Sequence, residues 1–265
     1  MSRGGARTEP FPPERLGTVD AMRMAGRRSD VHGLVEFNVT DARRLIDERE
    51  TETGERLSFT AFLVYCLARA VSEHPETGTY RDWRGRLVTF EDVDAMVIVE
   101  RTVDGEPVGI PHVVRGAGGR SLGSIHEEIR AVQQGSDDRE RSRWLPLFGR
   151  LPGPVRRLFY RLPQWAPRYW KRVAGTVSVT AVGMFGSGGG WGITPTNYPL
   201  QLTVGGISRK PGFVEEGDEI EPREHLHVTA TFDHDVVDGA PAARFLERLR
   251  ELVEGGYGLE PSDEE

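Results

Sequence analysis

Seven residues, Asp233-His234-Asp235-Val236-Val237-Asp238-Gly239, constrain this chain more than any other stretch. They separate an alternating run, His225 to Phe232, from a strongly helical one, Pro241 to Val253. Alternation has the two-residue period of a half-buried strand, and the second run has the spacing of an amphipathic helix. A histidine at the end of a strand is held rigidly and can point into a cleft, where one imidazole serves as a general base. Asp238-Gly239 reads as a tight turn, because glycine tolerates positive φ.

The formal net charge of −7 argues against a nucleic-acid partner. Only Lys171 and Lys210 are lysines, so arginine carries nearly all the positive charge. A single cysteine, Cys66, excludes an intrachain disulfide, and its apolar helical surroundings give it the role of a small buried hydrophobe. The first 13 residues lack the apolar stretch of a signal peptide, and no apolar run reaches the ~18 residues of a membrane span. A cytoplasmic protein is expected.

Residues 1–17 are rich in Pro, Gly and Arg and are expected to be a disordered tail; 256–265 reads as an acidic tail. Between them the order of segments predicts one domain, 18–255. Strands are expected at Val35–Val39, Arg86–Phe90, Ala95–Arg101, Val108–Arg115, Gly175–Gly183, Leu200–Ile207 and His225–Phe232. Pro111 points to an edge strand or bulge. Helices are expected from Thr40 or Asp41 to Glu48, from Ser58 to Val71, and from Ser121 to Gln134, the last with Ser124 and Glu127 as a capping box. Helices mixed with alternating strands predict an α/β (α+β) two-layer sandwich, one large mixed sheet with helices packed on it.

Residues 141–172 stand apart. They hold nine basic residues and no acidic one, interleaved with aromatics and prolines. An amphipathic cover that packs its aromatics on the sheet is the favoured reading. Contact with the phosphates of a bound substrate or with an anionic membrane are the others, the membrane disfavoured because prolines cut any helix short. His225 and His227 alternate on one strand, but no Cys or carboxylate ligand set accompanies them, so no metal is expected. Gly186–Gly192 lacks the Gly-Lys-Ser/Thr of a phosphate loop and reads as a flexible loop.

The His-x-x-x-Asp-Gly spacing of His234, Asp238 and Gly239 resembles the motif of the catalytic domain of dihydrolipoamide acyltransferases, the acyltransferase subunits of 2-oxoacid dehydrogenase complexes. Chloramphenicol acetyltransferases share that core. Other landmarks fall in the same order: His74-Pro75-Glu76, Ser121-Leu-Gly-Ser-Ile-His-Glu-Glu-Ile129, Gly175-Thr-Val-Ser-Val-Thr-Ala-Val-Gly-Met184, and Ile193-Thr-Pro-Thr-Asn197. The resemblance covers about residues 18 to 255 and implies the CoA-dependent acyltransferase fold. Asp235 departs from the arginine usual after the histidine, and segment 141–172 departs from the complex-forming enzymes. Lys171 and Lys210 both lie inside the catalytic region, so no lipoyl arm is expected on the chain.

The resemblance implies direct transfer from a coenzyme A thioester, with His234 as base and no covalent enzyme intermediate. Its oxyanion donor falls on Thr180, where the family usually has serine, with Ser178 two residues earlier on the same strand face as second candidate. Asp238 is assigned a structural role, fixing the loop through an arginine. Asn197 and Gly239 are placed along the substrate channel, with His32 and His112 as further lining candidates. Acyl-CoA is implied as substrate, with no metal. A homotrimer, possibly a larger cubic assembly, is implied, with His234 facing Thr180 of a neighbour or of its own subunit. Dihydrolipoamide carried by another protein is the expected acceptor. A stand-alone acetyltransferase acting on a small hydroxyl or amine, and an inactive oligomeric scaffold, are the alternatives.

Overall fold

The computed structural model describes residues 7–12, 15–103, 106–135, 148, 151–181, 188–213 and 219–259. Six strands form one mixed sheet: β1 (Asp30–Asn38), β4 (Ala95–Val103), β5 (Glu106–Val114), β6 (Val177–Ala181), β7 (Leu200–Phe213) and β8 (Ile220–Asp233). Their order is β1-β8-β7-β6-β4-β5, with β6 parallel to both β4 and β7 and the other neighbours antiparallel. The two-layer sandwich expected from the patterning is the observed fold. Pro111 sits in β5 at the sheet edge, the position where a strand tolerates a residue without an N–H. β2 (Tyr80–Arg81) and β3 (Leu87–Val88) form a separate hairpin, shorter than the strand expected at 86–90.

The core lies on one face of the sheet. Val177 and Val179 of β6, Leu200, Leu202 and Val204 of β7, and Leu226, Val228, Ala230 and Phe232 of β8 all point there, as the two-residue period requires. Four helices cover it: α2 (Thr40–Thr53), α3 (Phe59–Glu73), α4 (Leu122–Gln133) and α8 (Gly239–Glu254). α3 is the most deeply buried, with nine buried residues from Ala61 to Val71, and it packs against both α4 and α8. Ser58 caps it by accepting the Ala61 N–H. Cys66 lies inside this helix, and burial pushes its thiol well above the usual range, which leaves it unreactive.

Two caps differ from expectation. α2 begins at Thr40, whose N–H and hydroxyl both donate to Asn38 Oδ1, so the asparagine holds the helix start. α4 is capped by Ser121, which accepts the Ser124 N–H, so Ser124 and Glu127 form no capping box.

The amino-terminal tail is shorter than expected, because Leu16–Ala25 forms α1. At the other end Tyr257 stacks on Tyr65 at 5.2 Å and Leu259 is buried, so the packed chain runs past 255 to 259. Phe148 and residues 151–172 are the described part of the basic-aromatic stretch; 141–147, 149 and 150 lie outside the described residues. This part forms three short helices, α5 (Gly153–Phe159), α6 (Leu162–Trp165) and α7 (Pro167–Ala174), each with proline in its first turn, where no amide is needed. Phe159, Tyr160 and Trp170 turn inward to meet Tyr80 and Tyr198, the packing expected of a docked cover. Arg156 of α5 reaches Asp20 of α1 at 2.8 Å, with both side chains almost fully buried (8% and 3% exposed). Among the described residues no helix is long and apolar enough to cross a membrane. Gly175 closes the segment at φ 89°, and a Cβ there would lie 2.7 Å from the Asp94 carbonyl oxygen, so only glycine fits.

The opposite face of the sheet is polar: Ser178, Gln201, Thr203, Thr229, Thr231 and His227 are all buried there. The segment 188–199 lies across it. Trp191 donates to the Val35 carbonyl at 3.1 Å and stacks on His227 at 4.2 Å. Gly205 and Gly206, at a bulge in β7, let the backbone of Gly188 and Gly190 come so close that a Cβ at either would sit within 2.0 Å of a carbonyl oxygen. His227 Nε2 lies 3.1 Å from Glu36, whose carboxylate also accepts from Lys210 at 2.5 Å. That Lys210 bond holds the Glu36 carboxyl below the usual range. Its contribution to stability is therefore present above about pH 4.3 and lost as pH falls through the depressed folded value. Glu36→Gln is expected to flatten the acid limb of a melting-temperature-versus-pH curve. An unchanged acid limb would show that the ion pair contributes nothing.

Candidate active site

β8 ends at Asp233 and α8 starts at Gly239, leaving five residues between them. Both ends of this turn are fixed. The Asp233 N–H donates to the Pro199 carbonyl at 2.9 Å, and the His234 N–H donates to Ser29 at 2.8 Å. The Asp233 carbonyl accepts from Val236 and Val237, each at 3.0 Å. Asp233 Oδ1 accepts the Asp235 N–H at 3.2 Å, while Oδ2 takes the guanidinium of Arg28. Val237 plugs the turn into the core. What remains is the His234 ring, 49% exposed, on backbone held by these hydrogen bonds.

Two expectations change here. Asp238 does not anchor the loop through an arginine in the protomer. It is 87% exposed, its side chain makes no capping bond to α8, and Oδ1 lies 3.7 Å from His234 Nδ1. The anchoring role falls to Asp233 and Arg28, which are buried together and 205 residues apart. Gly239 does not take positive φ; it is the first residue of α8, and the space where a Cβ would stand is open. Asp235 pairs with Arg81 at 3.0 Å on the surface.

Thr180 and Ser178 lie on β6 and share the polar face of the sheet. Ser178 is buried, with Oγ 3.5 Å from Gln201 Oε1, whereas Thr180 is half-buried. Gln201 donates to Thr194 at 2.7 Å and to Thr203 at 3.3 Å, so a hydroxyl-amide network underlies Thr180. The register separates Thr180 from His234. Thr180 pairs with Thr203, which pairs with Thr229, five residues before His234. That is roughly 17 Å along the strand and two strand spacings, about 10 Å, across it. One carbonyl cannot touch both groups of the same protomer.

Asn197 lies at the His234 end, donating to the Ala21 carbonyl at 3.2 Å. His32 bonds Thr231 at 3.0 Å on the polar face. His112 points the other way, into the helical layer, where its Nε2 meets Glu128 of α4 at 2.5 Å, so it lines no channel on the polar face. Among the described residues no cluster of three His, Cys, Asp or Glu side chains could hold a metal. Arg28 and Ser29 carry no mark in the sequence because their partners are distant; Asp233, beside His234, is the one local signal.

Residues 172–259, which include β6, the polar face and the His234 turn, match the family described as 2-oxoacid dehydrogenases acyltransferase (catalytic domain). The likeness is to the 2-oxoacid dehydrogenase acyltransferases. The dihydrolipoyllysine-residue acetyltransferase component of the pyruvate dehydrogenase complex of Corynebacterium glutamicum is 24% identical over 90% of this chain and 32% of its own length. The lipoamide acyltransferase component of the branched-chain alpha-keto acid dehydrogenase complex of Bacillus subtilis is 25% identical over 78% of this chain and 41% of its own. The chain thus spans less than half of either relative.

Among solved structures, a probable dihydrolipoamide acetyltransferase from Listeria monocytogenes superposes with a TM-score of 0.71 at 19% identity, over 99% of both chains. The cubic core of the pyruvate dehydrogenase multienzyme complex gives 0.71 at 18% identity, over 96% of this chain and 94% of that one. A chloramphenicol acetyltransferase gives 0.50 at 16%, over 92% and 96%. The fold is that of the CoA-dependent acyltransferases.

Proposed function

We propose that this chain is a CoA-dependent acyltransferase that moves an acyl group between coenzyme A and a thiol such as dihydrolipoamide, presented by another protein in the cytoplasm. One observation carries the reading. A half-exposed imidazole stands on a turn clamped at both ends, while the hydroxyl best suited to an oxyanion lies out of its reach in the same protomer. The likeness to acetyl- and acyltransferase components supports the chemistry, and the superposition on a cubic core supports a trimer-based assembly.

The sequence of events follows from the groups present. His234 removes the proton of the acceptor thiol as its sulfur attacks the thioester carbonyl. The Thr180 hydroxyl of a neighbouring protomer donates to the tetrahedral oxyanion, with Ser178 and Gln201 beneath it. Collapse breaks the carbon–sulfur bond to coenzyme A, whose sulfur takes the proton back from His234. Asn197 and the open space at Gly239 shape the approach to the histidine.

The test is complementation between protomers. His234→Ala and Thr180→Ala chains should each be nearly inert as homo-oligomers. Co-refolded in equal amounts, they should recover about a quarter of wild-type turnover, because a head-to-tail ring pairs an intact His234 with an intact Thr180 at one interface in four. No recovery in hybrids of confirmed mixed composition would sink the inter-protomer site.

A further inference from the structure

We propose that the outward side of the basic-aromatic cover is a docking surface for an anionic lipid bilayer, which the protein touches from one side without crossing it. The packing of the cover accounts for its inward side chains, Phe159, Tyr160 and Trp170. It does not account for those left outside. On α5 the polarity is inverted. Arg156 is buried, while Val155 and Leu158, three residues apart and so neighbours on the helix surface, stand 48% and 49% exposed. A helix that only covered its own protein would turn its aliphatic side chains inward and its arginines out. The next two helices repeat the pattern. Trp165 is exposed at the end of α6, and on α7 Tyr169 and Val173, four residues apart, are exposed while Trp170 is buried.

A second segment joins this surface. The Trp83 N–H donates to the Gln164 carbonyl of α6 at 2.9 Å, which ties the β2–β3 turn to the cover, and the Trp83 ring is exposed. Both indoles carry a guanidinium: Arg84 lies 4.8 Å from the Trp83 ring centroid and Arg161 lies 5.5 Å from that of Trp165. Half of the large apolar side chains left exposed among the described residues belong to the hairpin and the cover, so this exposure is concentrated, as it is at sites of contact.

Charge selects the occupant. Residues 151–172 carry six cations and no carboxylate, in a chain whose net charge is −7. Arg161, Arg168 and Arg172 are exposed, and no ion pair among the described residues involves them. A second copy docked face to face would set these arginines against one another. An acidic protein would match the charge, but single side chains on three helices cut apart by prolines offer a folded partner no continuous ridge. A bilayer suits all of it. Its headgroups pair with guanidinium groups, its acyl boundary accepts aliphatic side chains of any outline, and indole and phenol rings settle at the headgroup level. The prolines that rule out one long amphipathic helix are no obstacle, because the body of the protein holds each end of the cover: Arg156 of α5 to Asp20, and Trp170 of α7 against Tyr198. Such docking is independent of acyl transfer.

The experiment floats the full chain with vesicles of phosphatidylcholine alone and of phosphatidylcholine mixed with phosphatidylglycerol, and reads quenching of tryptophan by brominated lipid in the same vesicles. The expected result is flotation and quenching with the mixed vesicles, weakened by salt, and neither with phosphatidylcholine alone. Val155→Ser/Leu158→Ser, two surface changes expected to leave the melting temperature in place, should weaken binding by about tenfold or more, the scale of withdrawing two aliphatic side chains from an apolar phase. Arg161→Glu/Arg168→Glu should do the same through charge. No flotation of the wild type with mixed vesicles overturns the assignment. Flotation without quenching, or binding that the serine variant keeps in full, overturns the insertion of the apolar face, since charge alone would then hold the protein. Equal binding to both kinds of vesicle overturns the part given to the arginines. Vesicles left untouched by a wild type whose oligomers the serine variant dissociates, or which binds polyglutamate, would give the face to a second copy or to an acidic protein instead.

Discussion

His234→Ala is expected to lower kcat for acyl transfer by about 10²–10⁴-fold, the range for removal of a positioned general base. Stability should hardly move. The side chain is half exposed, and everything that fixes the turn is backbone, Asp233, Arg28 or Val237. A surface change of this kind shifts stability by no more than about 0.5 kcal/mol. Coenzyme A release from acetyl-, succinyl- and branched acyl-CoA with free dihydrolipoamide gives the comparison, and it also shows which acyl chain the site accepts. Turnover retained by the variant, with any donor the wild type uses, would remove His234 from the mechanism. Activity lost together with a collapsed melting transition would instead make the residue structural.

Arg156→Ala is expected to destabilise the protein by about 3–5 kcal/mol, because it leaves Asp20 charged, buried and without its main partner. Arg157 lies 3.5 Å from the same carboxylate but is far more exposed, and it compensates only in part. For a chain of this size the loss corresponds to a fall in Tm of order ten degrees. The double variant Asp20→Leu/Arg156→Met should recover most of it, since a packed apolar pair often matches a buried ion pair. Thermal melts of the three proteins decide the matter. A single variant that melts within a degree of wild type would mean that α5 is not held to α1 by this bond.

The strands and the helical layer were legible because their periods are local. The alternation of Leu200 to Val204 and of Leu226 to Phe232 fixes which side chains face the helices. The Ser58 cap was equally visible, since its partner is three residues away. The caps that misled did so because competing polar side chains stood beside them: Asn38 before Thr40, Ser121 before Ser124. The site was half legible. His234 announced itself through its turn, but the residues that hold the turn come from the far end of the chain, and no periodicity links Arg28 to Asp233. Asp238 is assigned an arginine by the resemblance alone, and within the protomer the buried arginine pair of the turn is Asp233 with Arg28. The separation of Thr180 from His234 could not be read from sequence at all, since it depends on the register of three strands.

Timing during synthesis is set by the position of β1. This strand lies at the edge of the sheet, and its sheet partner is β8: Asp30 opposite Asp233, Asn38 opposite His225. A ribosome that has made the first two hundred residues has therefore released β1 with nothing to pair with, its amides and carbonyls open to other chains. Pairings between such distant segments form slowly, because the intervening chain must be ordered first. The clamp on His234 depends on the same closure, through Ser29 and Arg28. Chains cut short before residue 220 would thus lose the imidazole and also expose an adhesive strand, which makes premature termination a route to aggregation and not merely to inactivity.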